Sequence, residues 1–176
     1  ALTHSSYANE RWHDSLLSNE RMEFLGDSIL GMVVAEYLYR NFPDRLEGDL
    51  TRMRAALVRG DTALSCFARD LGIGDCLFLG NGEEATGGRD NKKILEDAFE
   101  ALVAAVYLDA GADAEGKSAV RSYVVPLIEE KLSQLCISGR SRVVDYKTQL
   151  QELLQVNGDV FIEYKIVKEE GRINEK

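Results

Sequence analysis

An all-α bundle followed by a small α/β segment is the fold class that this sequence predicts. Three observations predict it. Up to about residue 139, apolar residues recur at helical spacing, and most stretches end at Pro or Gly. Hydrophobic residues make up 45% of the 176-residue chain, enough for a packed core. After Ile137 the pattern changes to one short helix and one alternating strand.

The chain opens in what reads as a helix. Residues 19–40 form one long amphipathic stretch, with Asn19 at the N-cap position. Asn41-Phe42-Pro43 ends it, because Pro disfavours helix in the residue before it. Glu47 to Arg59 reads as a second helix, closed by Gly60, and Thr62 to Leu71 as a third, stopped by Gly72 and Gly74. Residues 80–91, GNGEEATGGRDN, are polar and glycine-rich with no apolar anchor, so a mobile loop is expected there. Asn91 then caps an apolar helix over about 92–109. Residues 113–136 form a last long helix, in which Pro126 predicts a kink or break.

Beyond it, SGRSR reads as a polar linker over 138–144. Asp145 caps a short helix to about Val156, Asn157-Gly158 is a turn, and residues 160–168 alternate like a strand. One helix and one strand cannot bury a stable core alone.

The net charge is −9, which by itself argues against a nucleic-acid partner. Placement qualifies that sum. Residues 140–176 are neutral, with seven basic and seven acidic side chains, so the whole acidic excess lies earlier. Clustered carboxylates can be metal ligands, and a bound cation reverses the local sign. Cys66, Cys76 and Cys136 are odd in number and lack CxxC spacing, which fits buried thiols in a reducing cytosol better than a disulfide frame or a zinc site. No apolar run reaches the roughly 18 residues of a membrane span. No G-x-x-x-x-G-K-[ST] run is present, so no nucleotide cofactor is expected. His4 and His13 have no evident partners and read as structural or surface residues.

The chemistry lies in two helices. In NERMEFLGDS, at 19–28, Glu20, Glu23 and Asp27 fall within roughly 60° of one another at about 100° per residue. Like charges on one face oppose helix formation. Gly26, a poor helix former, suggests close approach by another backbone. Read alone, this run also fits a solvated acidic face. In ILEDAFEALVAAVYL, at 94–108, apolar residues cover nearly every side, yet Asp97 and Glu100 share one face in the middle. Buried carboxylates are costly unless paired or metal-bound. Lys92 and Lys93 lie at the helix's N-terminal end, so partners on the same helix are scarce. An ion pair with Arg52, Arg54 or Arg59 also explains the acids. Together, the helices propose four inward carboxylates, Glu23, Asp27, Asp97 and Glu100, whose hard oxygens suit Mg²⁺ or Mn²⁺ and not zinc. Such a site suits in-line displacement at a phosphodiester.

These residues carry a resemblance. NERMEFLGDS resembles the signature stretch of the ribonuclease III family, and ALTHSS at 1–6 resembles the segment before it. EGDLTRMRAALV at 47–58 and LEDAFEALVAAVYLD at 95–109 resemble further family blocks, in order. DYKTQLQELLQ at 145–155 resembles the opening of the double-stranded-RNA-binding domain of bacterial members.

The resemblance implies an all-α ribonuclease III endonuclease domain over 1–137, lacking its N-terminal helix, then a linker at 138–144 and a truncated α/β double-stranded-RNA-binding domain over 145–176. It implies a homodimeric, cytoplasmic endoribonuclease that cleaves double-stranded RNA with Mg²⁺, for which Mn²⁺ substitutes, as in rRNA and mRNA processing. Products would carry 5′-phosphates and short 3′ overhangs. By motif position, Glu23, Asp27, Asp97 and Glu100 match the metal ligands, Glu20 an acid near the scissile phosphate, and Glu47 an acid that helps shape the valley along which the dimer's two sites lie. Asp27 and Glu100, with Glu20 and Glu47, are the catalytic set so implied. Phe24 and Leu25 fall where the signature helix packs at the dimer interface. Thr148, Gln151, Glu152 and Gln155 lie on a helix that family analogy sets over the RNA minor groove, in keeping with recognition by shape and 2′-OH. An ordinary amphipathic helix would also carry them on its polar side.

The sequence departs from the family pattern in places. Glu96 and Lys93 stand where smaller residues are common, and the basic cluster of the RNA-binding module is absent. Two other readings stay open from sequence: a catalytically inactive RNA-binding or scaffold member of the same fold, and a helical adaptor whose acidic face meets a basic partner. Retention of all four principal carboxylates favours the enzyme.

Overall fold

The computed structural model describes residues 1–58 and 63–137. The expected linker and RNA-binding segment, with Thr148, Gln151, Glu152 and Gln155, lie outside the described residues. Within them the helices run α1 (Ser5–Trp12), α2 (Glu20–Asn41), α3 (Glu47–Val58), α4 (Ala63–Asp70), α5 (Ile73–Cys76), α6 (Asn81–Ala85), α7 (Lys92–Asp109) and α8 (Ala114–Ile137). Single 3-10 turns occupy Ser15–Leu17 and Gly88–Asp90. The all-α expectation holds, since an isolated bridge between Thr3 and Phe78 is the only β pairing among the described residues.

The start of the chain is extended, where the sequence reads as helix. The backbone of His4 donates to Phe78 (3.0 Å), and that of Phe78 to Leu2 (2.9 Å). This pairing consumes the backbone groups that a helix would use. Helix α1 begins at Ser5, where His4 Nδ1 accepts from the Ser6 backbone, so His4 is structural.

Helix α2 is the axis of the bundle and packs most extensively on α7. Leu30, Val33, Val34 and Leu38 of α2 are almost fully buried, as are Leu95, Ala98, Phe99 and Val103 of α7. Each large apolar side chain so buried contributes about 1.5–3 kcal/mol. Phe67 of α4 and Tyr123 of α8 close on the Phe99 ring, at 5.9 and 6.4 Å between centroids.

Asn19 holds the N-cap position of α2, but its side chain makes no capping bond. Its backbone does the anchoring: its N–H donates to Thr3 (2.8 Å), and its carbonyl accepts from Glu23 (2.8 Å). Asn91 does cap α7 as expected, accepting from Lys93 and Ile94.

Two expectations are corrected. Residues 80–91 are not a loop without anchor. They contain α6 and a 3-10 turn, held by Arg89. Its guanidinium pairs with Glu84 (2.7 Å) and donates to the carbonyls of Gly74 (2.8 Å) and Leu77 (3.1 Å). A planar fork with five donors replaces the missing apolar anchor. Helix α8 also continues through Pro126, so the helix does not break there. The buried Val124 and Ile128 flank the proline, and their packing outweighs the lost backbone bond.

Candidate metal centre

Helices α2 and α7 approach closely at Gly26. A Cβ on Gly26 would overlap the carbonyl of Glu100. The close approach expected of this glycine is therefore present, and its partner is the backbone of a candidate ligand. Glu23 lies one turn before Gly26, and Asp97 one turn before Glu100. The crossing thus brings Glu23 of α2 to Asp97 and Glu100 of α7.

Oxygens of Glu23, Asp97 and Glu100 all lie within 4.8 Å of one another, and all three residues are half-buried. A divalent cation takes oxygens at about 2.0–2.6 Å, so oxygens on opposite sides of it stand about 4–5 Å apart. The three carboxylates fit that spacing, and their all-oxygen chemistry fits a hard cation. Among the described residues they are the one such group of His, Cys, Asp or Glu.

Asp27 does not join the group of three. It is exposed and lines an adjoining cleft of about 330 Å³ between α2 and α3, with Ser28, Met32, Thr51 and Arg54. Its charge still reaches the group. Burial, then repulsion from Asp27 and Asp97, pushes the Glu100 carboxyl up to about 7. Burial and Asp97 also raise Glu23, with a smaller push from Glu20. The site is therefore over-supplied with negative charge, as expected of acids awaiting a cation.

Arg52 pairs with Asp49 (2.6 Å) on its own helix, and Arg59 lies outside the described residues. A cation beside the acids is Lys93, which stands at the N-terminal end of α7 and was not expected to reach them. Its Nζ donates to Asp97 Oδ1 at 2.6 Å and stands 3.9 Å from Glu23 Oε1. Lys93 and Asp97 are four residues apart, one helical turn, so the signal was present in the sequence.

The two outlying acids sit apart from this group. Glu20 is exposed on the first turn of α2. Glu47, exposed at the start of α3, accepts from the Thr51 hydroxyl (2.7 Å). Phe24 projects from α2 with 79% of its surface exposed, while Leu25 is half-buried.

Comparison with known proteins follows the same residues. The sequence pattern described as Ribonuclease-III-like matches residues 1–127. "Ribonuclease 3" of Lactococcus lactis subsp. cremoris (strain MG1363) is 43% identical over 176 residues, covering all of this chain and 72% of the relative. "Ribonuclease 3" of Pelotomaculum thermopropionicum is 48% identical over 171 residues, covering 97% of this chain and 68% of the relative. Among solved structures, the nuclease domain of ribonuclease III from Campylobacter jejuni is 38% identical, with a TM-score of 0.64. The match covers 73% of this chain and 82% of that domain, whose structure is described as flexible in a region involved in dimer formation.

Proposed function

The chain belongs to the ribonuclease III family, and from that premise we propose that the acids between α2 and α7 are its divalent-metal centre for cutting duplex RNA. It is an endoribonuclease of double-stranded RNA. The observation that carries the metal-centre reading is the convergence of Glu23, Asp97 and Glu100 within 4.8 Å. A scaffold gains nothing from half-buried acids that repel one another.

Glu23, Asp97 and Glu100 would hold the cation, with Asp27 completing the set from the cleft side. When bound, a Mg²⁺ or Mn²⁺ ion supplies positive charge against phosphate oxygens and lowers the pKa of water. The remaining work belongs to the chain. Glu100, whose carboxyl is pushed up to about 7 by burial and the neighbouring acids, would hold such an ion in its ionised form. Asp27 and Arg54 line one cleft, so a carboxylate and a guanidinium face the same opening. Arg54 offers a phosphate a charged hydrogen-bonding partner there. Glu20 and Glu47 sit at helix starts, at the margin of this region, and shape the approach of the strand.

Attack of water at phosphorus with the 3′ oxygen leaving gives 5′-phosphate products. Two sites, one per subunit of a homodimer, cut opposite strands and leave short 3′ overhangs. The exposed Phe24 supports pairing through α2, since an aromatic ring so open on a core helix suits an interface. Contacts to the RNA minor groove fall to Thr148, Gln151, Glu152 and Gln155. The substrates are rRNA and mRNA precursors in the cytoplasm. Cys66 is half-buried and Cys76 exposed, so neither is the fully buried thiol that the sequence predicts. No helix among the described residues is long and apolar enough to cross a membrane.

The test is a long RNA duplex incubated with and without Mg²⁺, comparing the unaltered protein with Glu100→Gln. Cutting should require the ion, and the variant should lose about 100-fold or more of the rate. Cutting without divalent ion, or full activity in the variant, would refute the assignment.

A further inference from the structure

We propose that Lys93 is a built-in counter-cation of the acidic cluster, holding the carboxylates between metal-binding events and competing with the divalent cation for them. The inference rests on the metal-centre reading above and adds a residue which that reading does not use.

The geometry is that of a competitor. Lys93 Nζ touches Asp97 at 2.6 Å and stands 3.9 Å from Glu23, which lies on the other helix. Asp97 and Glu23 are two of the three grouped carboxylates. A plain intrahelical pair would account for Asp97 alone. Reaching across to α2 places the ammonium between two ligands that a cation would draw together. An ammonium and a divalent ion cannot share these oxygens without strong mutual repulsion.

The lysine is also free to leave. Its side chain is 71% exposed, whereas that of Asp97 is 19% exposed and that of Glu23 28%. The acids are held by the fold, and among the described residues the lysine's ammonium pairs with these acids alone. Water can take up the ammonium at little cost once a divalent ion arrives. Lys93 therefore keeps the acids compatible with folding when metal is scarce. It also raises the metal concentration at which the centre fills.

The experiment needs no RNA. The 176-residue chain, Lys93→Gln and Lys93→Arg are titrated with Mn²⁺, reading free ion by its paramagnetic resonance signal, and each is melted in EDTA. Lys93→Gln should bind Mn²⁺ about two- to tenfold more tightly, the scale set by one exposed ion pair with some added reach. Its melting temperature in EDTA should fall. Lys93→Arg should stay close to the unaltered chain in both measurements. A lysine that merely braces the fold would give the opposite sign, with weaker Mn²⁺ binding alongside the lower melt. Equal or weaker binding by Lys93→Gln overturns the role of Lys93 and leaves the metal centre standing. If none of the three proteins binds Mn²⁺, the metal centre itself falls, and this inference with it.

Discussion

The α-carbon of Gly26 lies against the backbone carbonyl of Glu100, so close that a single added methyl group would occupy the position of that oxygen. The acids are brought together by this contact between main chains, since each helix carries a candidate ligand one turn before it. Gly26→Ala should therefore cost about 2–4 kcal/mol, because a backbone carbonyl cannot rotate aside as a side chain can. A urea melt measures the loss. The same variant should bind Mn²⁺ more weakly, since α2 and α7 must separate to admit the methyl. Gly31, on the same helix, has open space where its Cβ would stand. Gly31→Ala should be neutral or slightly stabilising, so a loss shared by both variants would point to helix propensity and away from the crossing.

Removal of one charge from the cluster should stabilise the metal-free protein, in a way that depends on pH. Glu100 has a folded-state pKa of about 7, above its ordinary value of 4.5. Between those values the folded protein holds a proton that the unfolded chain releases. Its contribution to stability is fully present below pH 4.5 and is lost as pH rises through 7. With part of the carboxyl facing solvent, the loss is about 1–2 kcal/mol. Glu100→Gln carries no titrating group there. Melted in EDTA at pH 8, it should exceed the unaltered chain, and the gap should close toward pH 5. A gap that does not change with pH would show that Glu100 is not strained by its neighbours.

The site was legible in the sequence to the extent that it is built from helical periodicity. Glu20, Glu23 and Asp27 on one stretch and Asp97 and Glu100 on another are fixed in phase by 3.6 residues per turn. Gly26 announced the crossing because a glycine in a helix needs a packing reason. Asp27 shows where phase alone runs out. One helical position past Gly26, it turns toward the α3 cleft and stays exposed, a matter of how α3 leans on α2. Lys93 shows a different failure. Its one-turn spacing to Asp97 was visible, but its contact with Glu23 depends on a helix 70 residues away in sequence. The order in residues 80–91 was hidden because Arg89 is tied to carbonyls of α5 and the residue after it, and no local pattern encodes such partners.

That anchor makes its own prediction. Arg89 joins Glu84 in α6 to the carbonyls of Gly74 and Leu77, so it ties two short helices that bury little by themselves. Helices of four or five residues are not stable alone. Arg89→Ala should release residues 73–90 while α2 and α7 keep their core. Hydrogen–deuterium exchange reads the difference: faster exchange over 73–90, with unchanged protection in the core helices. Uniform loss of protection through α2 would mean that this segment carries the whole fold.

Phe24 supplies the last test, which concerns assembly. Its ring is 79% exposed on the helix that also carries Glu23 and Asp27, while the next residue, Leu25, turns partly into the core. An aromatic group left open on the central helix gains about 2–3 kcal/mol if a second copy covers it, and a two-fold interface counts that gain twice. Phe24→Asp would place a charge in the same position, facing its own copy. If the proposed homodimer pairs through this ring, the variant should run as one chain in analytical ultracentrifugation at concentrations where the unaltered protein runs as two. Its binding of Mn²⁺ should change little, because the ring lies on the open side of α2 and Glu23 faces α7. If the variant stayed paired, the dimer contact would lie elsewhere. If it lost metal binding while becoming a single chain, the two copies would have to support each other's centres.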